Sequence, residues 1–192
     1  MNRTLWLKFI YLSLFVLVLV TVIYLTKTEV LQLPNLLLIT LICLIPGRLV
    51  GYFYRDLLTA RRLIDRGRWQ QSIPYSLRFT NKIRQHKWLK IFIWFAPSLY
   101  TISPLAMGLN NLGVAHLELG EIERAEEYFW SALRIDQKYS LPYYSLAIIE
   151  LLRENTSQGE YYLAKSNRLG YSQGKIDSAL DRGKAIYARI GL

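Results

Sequence analysis

Residues 106–139 read AMGLNNLGVAHLELGEIERAEEYFWSALRIDQKY, and they carry the clearest structural pattern in the chain. Two amphipathic helical segments lie on either side of Gly120, and a glycine there allows the left-handed backbone that ends a helix. Gly113 in the first segment and Ala125 in the second are small enough for two helices to approach closely. Several glutamates follow Gly120, where the dipole of the second helix favours negative charge. The stretch therefore predicts a hairpin of two packed helices.

In this stretch the chain resembles the tetratricopeptide repeat family, whose helical hairpins repeat about every 34 residues. The family places a small residue where the two helices cross, a glycine at the turn, and small and aromatic residues along the second helix. The matching positions are Leu112, Gly113, Gly120, Ala125, Phe129 and Ala132. Leu109, His116 and Gln137 depart from the family's usual aromatic, tyrosine and proline. The resemblance implies an all-α fold built as a short helical solenoid.

The residues after this repeat continue the pattern more weakly. Repeat positions within residues 140–173 are Tyr143, Leu146, Ala147, Gly159, Leu163 and Ser166. Residues 174–190 form a final amphipathic helix, which a repeat array needs to cover its last apolar face. Residues 106–192 are therefore predicted as two repeats plus a capping helix. A degenerate further unit is expected around residues 62–75, where Gly67 resembles a repeat turn.

The resemblance also implies a binding face. Ligands of this family usually lie on the concave face, which the first helix of each repeat builds. The positions implied for protein binding are Asn110, Val114, Leu117, Glu118, Leu141, Tyr144, Ile148 and Leu151. These positions lack the lysines and arginines with which some members hold a C-terminal carboxylate, so the ligand predicted here is a hydrophobic helix or an extended peptide. Alternatively, residues 91–105 or the capping helix cover this apolar face.

The N-terminal part of the chain is strongly apolar. Residues 9–25 read FIYLSLFVLVLVTVIYL without a charge, and about 20 apolar residues suffice to cross a bilayer. We expect transmembrane helices at residues 5–25 and 36–54, which together form a hairpin over residues 1–55. The alternatives are a cleaved signal peptide for the first span and a buried helix of a protein core for the second.

Residues 48–90 form a basic block, with eleven Lys and Arg against Asp56 and Asp65, a net charge of +9. Because basic loops stay on the cytoplasmic side, this block predicts an integral membrane protein with a cytoplasmic N-terminus and a cytoplasmic repeat domain. The residues expected to contact lipid headgroups are Arg55, Arg61, Arg62, Arg66, Arg68, Lys87 and Lys90. An acidic protein surface and a nucleic acid are the alternative partners of the block.

Residues 56–105 are predicted as basic juxtamembrane helices that end in an apolar interfacial segment. Residues 91–107 read IFIWFAPSLYTISPLAM, and two prolines interrupt this uncharged run. Since proline breaks a helix, the segment is expected at the interface rather than across the bilayer. A third span, a re-entrant turn and packing against the repeats remain alternatives.

The sequence indicates no catalytic residue, no cofactor site and no metal site. Its two histidines lie on different elements, and Cys43 is its single cysteine. The predicted function is a protein-interaction module, acting as an adaptor, scaffold or assembly factor for a membrane-associated complex, with protein partners and the lipid bilayer as its contacts. A permanent structural subunit of such a complex and a nucleic-acid-contacting protein are the alternatives, and no small-molecule substrate is expected.

Overall fold

The described residues of the computed structural model are 47–94, 100–171 and 175–190, together with scattered positions between 6 and 45. Every regular element among them is helical. The elements are α1 (Arg55–Asp65), α2 (Trp69–Gln85), a 3₁₀ helix (Lys87–Trp94), α3 (Pro104–Glu118), α4 (Ile122–Ile135), α5 (Ser140–Leu152), α6 (Thr156–Arg168) and α7 (Ile176–Ile190). Residues 47–53 are helical as well and lead into α1.

The helices stack as consecutive hairpins. Helix α1 packs on α2, α3 on α4, and α5 on α6, while α7 packs on α5. The first helices of the hairpins also touch one another, since α1 contacts α3 and α3 contacts α5. This arrangement puts α1, α3 and α5 on one side of the stack, and α7 closes its C-terminal end.

Close helix packing explains the small residues of the central hairpin. A Cβ atom built on Gly113 would lie 2.5 Å from Cε1 of Phe129, whose ring is fully buried between α3 and α4. Ala125 and Ala132 are fully buried on the same helix as Phe129. The next hairpin also has a glycine where its two helices approach closely, because a Cβ atom on Gly159 would lie 2.8 Å from the side chain of Leu151.

The turns between helices use left-handed backbone. Gly67, Gly120 and Gly170 have φ angles of 70°, 80° and 99°. At Gly120 this conformation lets its amide donate to the Leu117 carbonyl oxygen at 3.0 Å, which satisfies the end of α3. Between α5 and α6 the same role falls to Glu154, whose φ angle is 60°.

Glu154→Gly is therefore expected to raise the free energy of unfolding by about 1 kcal/mol, because glycine takes left-handed backbone without the steric cost that a side chain brings. Urea denaturation of the full chain measures the change. Glu160→Gly is the matched control, since it places glycine on an exposed position inside α6 and should cost about 1 kcal/mol. Equal effects of both variants would contradict this explanation.

The membrane predictions are corrected by the described helices, none of which is long and apolar enough to cross a membrane. On this finding the transmembrane hairpin of residues 1–55 and the integral membrane location are wrong. More than half of the residues in the spans predicted at 5–25 and 36–54 lie outside the described part of the chain. Where the second span is described, Val50 and Tyr54 are buried against Phe79 and other core side chains. An apolar helical run fits a protein core as well as a bilayer, and here Val50 and Tyr54 belong to a core, whereas Ile45, Leu49 and Tyr52 are exposed.

The apolar segment predicted at residues 91–107 packs against the protein in part, whereas Ile91 and Ile102 are exposed. Ile93 of the 3₁₀ helix is buried in the cluster that includes Phe79 and Ile83. Pro104 lies in the first turn of α3, where a missing amide hydrogen costs nothing, and the Ser103 hydroxyl oxygen accepts from the Ala106 amide at 3.3 Å. Residues 95–99 lie outside the described part of the chain.

Candidate functional site

A cavity of about 500 Å³ lies on the side of the stack where the first helices meet. Its walls come from α1, α3, α5 and α7, and the first residue of α2 adds the Trp69 ring. Six of the eight residues predicted for the concave face line this cavity: Asn110, Val114, Leu117, Glu118, Leu141 and Tyr144. The stacking of first helices therefore brings together side chains that are separated along the chain.

The other two predicted residues, Ile148 and Leu151, pack inside the protein. Ile148 is buried close to Gly183 of α7, where a Cβ atom would lie 3.9 Å from its side chain. Leu151 is buried against Gly159 of α6. The capping helix and the second helix of the hairpin thus cover these positions.

Asn110 is the most unusual polar group of the cavity. Its side chain is 2% exposed, and its Oδ1 atom accepts no hydrogen bond from any described residue. A buried amide oxygen without a donor costs about 1 to 3 kcal/mol. A ligand with an N–H group in the cavity would remove this cost.

Three tyrosines form an aromatic wall beside Asn110. The ring centroids of Tyr144 and Tyr171 are 4.8 Å apart, and those of Tyr100 and Tyr171 are 5.8 Å apart. Burial raises the pKa of Tyr144 and of Tyr171 above the ordinary value of 10.0. Both phenols therefore stay protonated at neutral pH and offer O–H donors next to an apolar ring surface.

An ion-pair cluster closes one side of the cavity. The Glu118 carboxylate at the end of α3 is 6% exposed, and it accepts from Arg182 and Arg189 of α7 at 2.6 Å each. The Arg189 guanidinium also lies over the Trp69 ring, 4.4 Å from its centroid. The capping helix is thereby tied to α3 and to the start of α2.

These cations were missed by the sequence-based prediction, which expected no arginine on the concave face. Arg182 and Arg189 belong to the capping helix, and Arg61 reaches the cavity from the end of α1, where it pairs with Asp65 at 3.2 Å. One signal was available in the sequence. Residues 182 and 189 are two helical turns apart, so both arginines lie on the same face of α7.

The seven basic residues predicted to contact lipid headgroups are all exposed, but they do not form one patch. Helix α1 has 11 residues, which corresponds to a length of about 16 Å. Arg61 and Arg62 lie in its C-terminal half, and Arg66 and Arg68 lie beyond its C-terminal end. Arg55 lies at the other end together with Lys87 and Lys90, since the Tyr54 hydroxyl donates to the Leu89 carbonyl oxygen at 3.0 Å. Only Arg61 of this set lines the cavity.

Stacked helical hairpins around a concave cavity define the class of helical-repeat proteins, whose concave surfaces generally bind other proteins. Residues 106–139 match the tetratricopeptide repeat family, which confirms the repeat predicted for α3 and α4. Proteins with this repeat are generally interaction modules rather than enzymes. No curated protein and no solved structure matches the chain significantly.

Proposed function

We propose that this chain is a protein-interaction module that holds an extended segment of a partner protein in the cavity between α1, α3, α5 and α7. The observation that carries the proposal is Asn110, which lines the cavity and has a buried side-chain oxygen that accepts no hydrogen bond from the described residues. An extended peptide supplies backbone N–H donors at regular spacing, and one of them can donate to this oxygen. The same peptide can place apolar side chains on the tyrosine wall.

The proposal extends to an adaptor or assembly-factor role. The cavity uses the first helices of the hairpins and leaves the outer faces of α4 and α6 open. Trp130 on α4 and Tyr161 on α6 are exposed there, and each contacts Tyr162. A module that holds a peptide on one face and offers aromatic side chains on the other can join two proteins.

Asn110→Leu tests the binding site, because leucine keeps a similar shape and removes the unpaired oxygen. The probes are peptides selected from a random displayed library on the wild-type chain. We expect their affinity to fall about tenfold on loss of one hydrogen bond to a buried acceptor. The free energy of unfolding should stay equal or rise, since the variant no longer buries an unsatisfied polar group.

Asn81→Leu is the control, because it makes the same substitution at an exposed position of α2. This variant should bind the selected peptides as the wild type does. If the wild-type chain selects no peptide, or if Asn110→Leu binds the peptides as tightly as the wild type, the proposed use of the cavity is wrong.

A further inference from the structure

A second surface, independent of the cavity, lies on the 3₁₀ helix at residues 87–94. With about three residues per turn, Trp88 and Ile91 share one edge of this helix. Their side chains are 57% and 61% exposed, whereas Leu89 and Ile93 are buried in the protein. Leu89 and Ile93 thus fix the helix on its other two edges, and the third edge presents a tryptophan and an isoleucine.

The exposed edge is held in place by an aromatic platform. The Phe53 and Phe92 rings stack with centroids 4.9 Å apart. The Trp88 ring meets both of them edge-on, at 5.3 Å from Phe53 and 5.9 Å from Phe92. Tyr52 extends the row, with its ring 5.2 Å from Phe53. These ring contacts therefore fix the orientation of the Trp88 side chain in the unbound protein.

Positive charge lies beside this apolar edge. Lys87 and Lys90 are exposed on the adjacent edge of the same helix, and the Lys82 ammonium lies 5.5 Å from the centroid of the Phe53 ring. The sequence contains no Asp or Glu between Asp65 and Glu118. The surface at Trp88 and Ile91 therefore needs a partner that is anionic and also offers an apolar layer.

We propose that this surface, formed by Lys87, Trp88, Lys90 and Ile91, rests on an anionic lipid surface. An anionic bilayer presents negative headgroups directly above hydrocarbon. The lysines can therefore contact headgroups while the apolar side chains enter the hydrocarbon just below them. Tryptophan is enriched at this boundary because its ring is amphipathic. A nucleic acid supplies the negative charge but no environment for an aliphatic Ile91 side chain. The contact is with the surface of the bilayer and needs no helix that crosses it.

A nitroxide spin label at Ile91→Cys in the full chain tests this contact, with the single native cysteine removed by Cys43→Ser. The label reports on its own position, whatever other parts of the chain do at the vesicle. The matched control carries the label at Ile135→Cys, an exposed isoleucine at the end of α4. The probes are vesicles of phosphatidylcholine with or without about one-third phosphatidylglycerol, which makes their surface negative.

With the anionic vesicles, the label at position 91 should become more accessible to oxygen and less accessible to a water-soluble nickel complex, while the label at position 135 stays in water. Lys87→Gln with Lys90→Gln should raise the lipid concentration needed for half of this change about 25-fold, from the usual contribution of each basic residue. Three results would overturn the proposal: a label at position 91 that stays in water, an equal response to neutral vesicles, or a response to single-stranded nucleic acid instead of vesicles.

Discussion

Gly113→Ala is expected to lower the free energy of unfolding by about 3 kcal/mol, near the upper end of the usual cost of overpacking a core. The new methyl carbon would lie 2.5, 2.7 and 2.9 Å from three atoms of the Phe129 ring. That ring is fully buried between α3 and α4, so it can move only by displacing its neighbours. The cost therefore measures how closely the two helices of the central repeat approach.

Urea denaturation of the full chain measures this effect, and Gly51→Ala is the matched control. Gly51 is also helical, but an added Cβ atom there has no neighbour within 4 Å. The control should be neutral or gain up to about 1 kcal/mol from helix propensity. Adding Phe129→Leu to Gly113→Ala should recover part of the loss, because the smaller side chain makes room for the methyl group. A Gly113→Ala variant as stable as the wild type would contradict the described packing.

Replacing both Arg182 and Arg189 with methionine is expected to cost about 2 to 3 kcal/mol. The double variant leaves the buried Glu118 carboxylate without its two cationic partners, and breaking a buried pair costs about 3 to 5 kcal/mol. We expect less here because the two arginine side chains are 47% and 37% exposed, and solvent screens them in part. Methionine retains most of the aliphatic packing of arginine, so the loss reports mainly on the charge.

Hydrogen exchange locates this loss, since the amides of α7 should exchange faster in the double variant while those of α4 change little. Adding Glu118→Gln should restore part of the stability, because the unpaired charge is then removed. If the double variant keeps the stability and the α7 protection of the wild type, the ion-pair cluster does not hold the capping helix on the stack.

The central hairpin could be predicted because its signals are local. Gly113, Ala125 and Phe129 are specified by spacing within one repeat, and the turn at Gly120 needs only its own backbone preference. The family resemblance of α3 and α5 also implied six of the sixteen residues that line the cavity, Asn110 and Tyr144 included. The same resemblance could not show that α7 covers Ile148, since coverage depends on how the capping helix docks.

The rest of the site depends on contacts between distant parts of the chain. Glu118 pairs with residues 64 and 71 positions further along. Whether side chains so far apart in the sequence meet depends on how all the helices between them pack. Hydropathy wrongly indicated a membrane span at residues 36–54, because it does not include contacts between distant residues. The apolar residues Val50 and Tyr54 match a membrane span in composition, and only their contacts with α2 and the 3₁₀ helix show that they belong to a protein core.

A crystal structure of the full chain with one of the selected peptides tests the proposed binding in the cavity. We expect an extended peptide between α3, α5 and α7, with a backbone amide nitrogen about 2.9 Å from Asn110 Oδ1. We also expect peptide side chains against Tyr144 and Tyr171. A peptide bound on the outer face of α4 and α6, with the Asn110 oxygen still unpaired, would show that the cavity is not the binding site.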